Sequence, residues 1–130
     1  MAEPPYCRVS AKPLKPVEWI GSSLKDLRAF PEVVRETVGF ALYLAQIGDK
    51  HLAAKPLKGF TGAGVLEVVE DFDGETFRAV YTVRFASAVY VLHVFQKKSK
   101  TGIKTPKSEI DLVWQRLKVA EELHRKRKSE

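Results

Sequence analysis

Apolar residues at Val34, Val38, Ala41, Leu42 and Ala45 recur at three-to-four spacing behind Pro31, which predicts an amphipathic helix running to the glycine at 48. Pro31 reads as its first helical residue, Glu32 as a first-turn acid and Gly48 as the residue just past its end. A shorter helical pattern, SLKDLRAF, precedes it, with Ser23 as N-cap and Asp26 three residues on. Ahead of that, VEWI at 17–20 is a short strand candidate.

Beyond residue 64 the period changes from that of a helix to that of a strand. Three strands are predicted, at 65–70, 76–84 and 88–96, joined by FDGE and by the FASA region, both of hairpin length. In the second strand Phe77, Ala79, Tyr81 and Val83 alternate with Arg78, Val80, Thr82 and Arg84, so both arginines fall on one, partly polar face. Truncating Arg78 there is expected to cost the fold little. The third strand, AVYVLHVF, is apolar on both faces and is expected inside the sheet. A final helix is expected from Ser108, with Asp111 at N3 and a stripe of Ile110, Val113, Trp114, Leu117 and Ala120. Trp19, Leu42, Leu92 and Trp114 are candidate core or near-core residues.

The order β-α-α-β-β-β-α implies an α+β domain, helices packed on a small, mostly antiparallel sheet. Residues 1–16, with Pro4, Pro5, Pro13 and Pro16, read as a flexible arm. The folded domain is placed at 17–124 and a basic tail at 125–130. A length of 130 residues with 45% hydrophobic content suits one core. A single cysteine, Cys7, precludes an internal disulfide, and no apolar run reaches the length of a membrane span. With no apolar signal segment at the start, a reducing cytoplasm is the expected compartment.

Charge changes the picture because it is uneven. The chain is net +6, yet residues 96–107 carry five lysines and no acid, and 124–130 add a net +3, so the remainder is net −2. Positive charge gathered on either side of the last helix is what a local polyanion site requires. A solvated connector and a frayed end explain the same charges without function.

Several chemistries are excluded. GFTGAG at 59–64 has glycines but lacks the lysine-serine and helix of a phosphate loop. One cysteine and scattered His51, His93 and His124 form no zinc pattern. No metal or other cofactor is expected. His93, in an apolar strand, reads first as a core residue, and Glu67 as a buried pair partner or else a base. What remains is cationic: Arg78 in the second strand, Lys97 and Lys98 after the third, Lys55 and Lys58 before the sheet, Lys100 and Lys104 beyond it. In an antiparallel meander Arg78 and Lys97/Lys98 fall at one sheet end. Such a cluster suits RNA cleavage, in which the ribose 2′-hydroxyl is the nucleophile and the protein supplies charge stabilisation and proton transfer. A lysine among other cations can have its pKa lowered enough to act as base.

The segments PLKG, GVLEVVEDFDGETFRAVYTV and VYVLHVFQKKSKTGIKTPKSEIDLVWQR together resemble the RelE/ParE toxin superfamily, and within it the phage-derived HigB-like branch of type II toxin–antitoxin systems. The resemblance spans roughly residues 17–123. It implies a RelE-like fold, and a toxin that is a ribosome-dependent mRNA endonuclease, or in the ParE lineage a gyrase inhibitor, neutralised by a helix-turn-helix antitoxin. It further implies that Arg78 contacts the scissile phosphate, that Lys98 with its neighbour Lys97 supplies catalytic cations, and that Lys58, with Lys55, Lys100 and Lys104, holds RNA. Two positions depart from the family pattern: Val68-Val69 stands where many relatives carry a basic residue after the glutamate, and Lys104 lies near where some nucleases use a tyrosine. A phage-derived regulator with no toxicity, whose cationic face only binds a partner, remains a further reading.

Overall fold

A computed structural model describes residues 14–60, 62–97 and 106–128. The elements are β1 (Val17–Trp19), α1 (Ser23–Arg28), α2 (Glu32–Gln46), β2 (Ala54–Pro56), β3 (Val65–Phe72), β4 (Glu75–Thr82), β5 (Val89–Lys97) and α3 (Lys107–Lys128). They form an α+β fold with one sheet ordered β1-β5-β4-β3-β2. All its pairings are antiparallel except that of β1 with β5, where Val17 lies opposite Val89.

The meander of β3, β4 and β5 is as the alternation implies. Its first turn is tight because Asp73 and Gly74 both take positive φ, 53° and 78°, and connect Phe72 directly to its partner Glu75. β5 lies between β1 and β4, and Leu92 is fully buried. β2 was not anticipated: AKP is three residues long, too short to show a period.

Helix ends differ from expectation in detail. Ser22, not Ser23, occupies the cap of α1, its hydroxyl donating to the Asp26 carboxylate at 2.8 Å. Ser23 is instead buried and donates to the Val91 carbonyl of β5. Pro31 is the cap of α2 rather than its first residue. Gly48 ends α2 as expected: its φ is +84°, its N–H bonds Ala45 O, and Asp49 N–H bonds Leu44 O at 2.7 Å, the paired bonds of a Schellman motif. α3 begins one residue early and runs through the segment read as a tail, so residues 125–128 are helical, and Arg127 pairs with Glu18 of β1 at 2.9 Å. That guanidinium holds the Glu18 carboxyl below its usual range.

The sheet has a core on each face. On one, Leu27 of α1 and Val34, Val38, Ala41, Leu42 and Ala45 of α2 cover Val68, Phe77, Ala79, Tyr81, Val89, Val91 and Val94. Burial there pushes the Tyr81 phenol up to about 12. On the other, Val113, Leu117 and Ala120 of α3 cover Val65, Val80, Tyr90 and Leu92. Trp19 packs against the first core from its edge. Trp114 is less buried than its place in the stripe implies: 41% exposed, it stacks one face on Phe60 at 4.2 Å. Of the arm, residues 14–16 are described. Lys15 exchanges bonds with Gln46, and Pro16 O accepts from Val89 N–H. Residues 1–13 lie outside the described chain.

Candidate functional site

The α3 face of the sheet extends past the residues that Val113, Leu117 and Ala120 of α3 cover, and the rows beyond carry the charges. Lys55 of β2 lies opposite Glu67 of β3, Glu67 opposite Val80 of β4, and Val80 opposite His93 of β5. In the next row Val69, Arg78 and Phe95 lie side by side. One step further the backbone places Lys97 opposite Thr76. Arg78 and Lys97 therefore occupy neighbouring positions at one end of the sheet, as the meander requires.

Arg78 is not the open cation that the sequence suggests. It is buried and donates from Nη1 to Glu67 Oε2 at 2.9 Å, the two side chains 6% and 12% exposed. Glu67 thus takes the pair-partner role. Because the two sit one diagonal apart on adjacent strands, the carboxylate fixes the plane of the guanidinium and cancels most of its field at a distance. The expectation that truncating Arg78 is cheap is overturned by this burial. Arg84, expected on the same strand face, lies just past β4 and pairs with Glu121 of α3.

Lys55 is exposed beside this pair. Lys58 is exposed too, but it follows Leu57, whose N–H bonds Val65 O, so it leaves the sheet at the end away from Lys97. The two lysines therefore stand at different places along the sheet. Lys98, Lys100 and Lys104 lie outside the described residues, which resume at Pro106. The two feet of that lysine-rich segment are β5 and α3.

A second polar cluster ties those feet together, and sequence reading did not assemble it. Between the pairs Val80–His93 and Tyr81–Val91 the register slips by one, leaving Leu92 as an extra residue on β5. The bulge turns Leu92 and His93 both towards α3. His93 Nε2 lies 2.8 Å from Glu109 in the first turn of α3, and its Nδ1 lies 3.3 Å from Nη1 of Arg116. A guanidinium only donates, so Nδ1 accepts and Nε2–H donates to Glu109: the imidazole is neutral. Burial, chiefly, holds its pKa below the ordinary histidine value. Arg116 also donates to the bulged Leu92 carbonyl at 3.0 Å and to Ser22 Oγ at 3.2 Å. Gly21 makes room for it: a Cβ there would stand 2.8 Å from the guanidinium carbon. The histidine is a satisfied core residue, but its partners join β5, α3 and the start of α1. Its signal in the sequence was a lone polar residue inside an apolar strand, and Glu109 two residues past the last lysine of the run.

Among the described residues no group of histidine, cysteine, aspartate or glutamate side chains is placed to hold a metal, and no helix is long and apolar enough to cross a membrane. On this face of the sheet the exposed cation placed to meet an anion is Lys55, beside the buried Arg78–Glu67 pair.

A family model described as Phage derived protein Gp49-like (DUF891) matches residues 25–118. That span runs from within α1 to the middle of α3 and contains every residue of both clusters except Gly21 and Ser22. No curated protein matches the chain.

Proposed function

Because the chain belongs to the Gp49-like family of phage-derived proteins, we propose that it is the toxin of a toxin–antitoxin pair and acts as a metal-independent endoribonuclease on ribosome-bound mRNA. One observation carries the reading: Lys55 with Glu67, then Arg78, then the backbone position of Lys97 occupy successive rows leading to the sheet end where the lysine-rich segment 98–105 departs. The RNA supplies its own nucleophile, the 2′-hydroxyl, so the protein needs only to place cations on the scissile phosphate and to move protons. Arg78 contacts the phosphate, Lys97 and Lys98 stabilise the charge that develops on it, and Lys55, with Lys100 and Lys104, holds neighbouring phosphates. Glu67 positions Arg78 until RNA competes for the guanidinium. The partner is a helix-turn-helix antitoxin, the site of action the cytoplasm.

A second reading draws on the same pair. A guanidinium already engaged by Glu67 suits a protein that binds a partner without cleaving RNA, as a gyrase inhibitor or a non-toxic regulator would. Expression of the chain with and without its neighbouring gene, with 5′-end mapping of cellular mRNA, separates the two. Growth arrest with new 5′ ends that vanish on ribosome-free RNA supports the nuclease. Arrest with intact mRNA and altered plasmid supercoiling supports the gyrase inhibitor, and normal growth supports the regulator.

A further inference from the structure

α2 buries one face on the sheet and carries a second apolar stripe on the opposite side. Val33, Phe40, Tyr43 and Ile47 are all exposed, Phe40 by 54%, and Leu52 stands fully exposed just beyond. Val33, Phe40 and Ile47 repeat at seven residues with Tyr43 between them, which is the spacing of a seam that meets another helix. Nothing among the described residues covers it except the edge of His51 against Phe40, with ring centroids 5.5 Å apart. Gly39 lies at the middle of the stripe and of the fifteen-residue helix. The fold gives no reason for it: its φ is not positive, and an added Cβ would meet nothing within 4 Å. A helix-interior glycine costs about 1 kcal/mol relative to alanine.

We propose that this outer face of α2 docks a second copy of the chain, α2 packed antiparallel on α2. Val33 lies seven residues before Phe40 and Ile47 seven after, so an antiparallel partner sets valine against isoleucine at both ends and phenylalanine against phenylalanine at the centre, with Tyr43 set against the polar Thr37 between them. That is the self-complementarity a two-fold contact requires. Charge favours the same occupant. Residues 32–52 hold Glu32, Glu36 and Asp49 against Arg35 and Lys50, net −1 in a chain of net +6. Two copies meet here without the repulsion that their lysine-rich sides would impose, whereas an acidic partner is drawn to those lysines on the other side of the sheet. Gly39 lets the two backbones approach. In the dimer the sheet faces that carry Arg78 and Lys55 both point outward.

Sedimentation velocity on the full chain, from about 1 to 100 μM, tests this alongside melting curves. A reversible dimer is expected. Phe40→Glu gives a monomer with an unchanged melting temperature at low concentration, because the side chain is exposed. Gly39→Ala has opposite effects on the two measurements: the dilute protein melts higher, while dimer dissociation strengthens about tenfold. In a Cys7→Ser background, oxidised Val33→Cys and Ile47→Cys proteins cross-link to one another when mixed. A chain that stays monomeric throughout the range overturns the proposal. So does a dimer that survives Phe40→Glu, and so does a mixture that cross-links only Val33→Cys to itself, which would mean parallel packing.

Discussion

Glu67 and Arg78 are held 2.9 Å apart on adjacent strands, on a sheet face where neither side chain is more than 12% exposed. Removing one partner breaks a buried ion pair, which costs about 3–5 kcal/mol. Arg78→Ala is therefore expected to lower unfolding free energy by that amount in urea titrations, and so to confound any test of toxicity made with it alone. Replacing both partners, as Arg78→Met with Glu67→Leu, is expected to restore most of the stability. If the guanidinium acts on the phosphate, the folded double variant loses about 100–1000-fold in cleavage rate. Parental cleavage by that variant removes Arg78 from the mechanism.

His93 carries a pH dependence of definite sign. Its folded pKa lies below its ordinary value because burial disfavours the charged ring, more than Glu109 favours it. The unfolded chain thus takes up the proton first as pH falls, and stability declines below about pH 6.5 with a slope of at most about 1.4 kcal/mol per pH unit. Above that pH His93 contributes no slope. His93→Gln, which can still donate to Glu109, is expected to flatten the curve just below about pH 6.5. An unchanged slope in that window would assign the acid sensitivity to other groups.

How much of this was legible beforehand depended on whether a feature repeats. The α2 stripe, the Asp73-Gly74 turn and the meander follow from periodicity and turn chemistry and stand as read. The bulge at Leu92 has no period, since it is a single extra residue whose effect shows only against its partner strand. Arg78 was placed on the right strand face, but its burial depends on Glu67 across the sheet, and a one-strand alternation cannot show that. The basic run at 124–128 looked like a frayed end because its composition is polar throughout. It continues the last helix, and Arg127 there reaches Glu18, 109 positions away.

Gly21 is the support of the His93–Arg116 cluster. Its φ of +59° is one that side chains other than glycine rarely take, and a Cβ would press the Arg116 guanidinium at 2.8–2.9 Å. Gly21→Ala is expected to cost about 1–3 kcal/mol from the backbone alone, and to push Arg116 away from Leu92 O, His93 and Ser22. The histidine then loses a donor at Nδ1, which is measurable as a shift of its imidazole ¹⁵N resonances. A melting temperature within error of the parent would show that Arg116 is not held there.

Lys55 and Lys58 are three residues apart and both exposed, yet Lys55 lies within β2 opposite Glu67, one row from Arg78, while Lys58 lies past the end of β2 on the side away from Lys97. Each phosphate contact on a single strand contributes about 0.7 to the slope of log K against log salt. Binding of a short single-stranded RNA, followed by anisotropy across a KCl series, is therefore expected to lose about 0.7 of slope in Lys55→Ala and to keep its slope in Lys58→Ala. Neither change should alter melting, because neither side chain is buried. Equal losses in both variants would mean that bound RNA runs the full length of the strand edge past Leu57, rather than lying at the end that leads to Lys97, and the cleavage site would have to be sought between them.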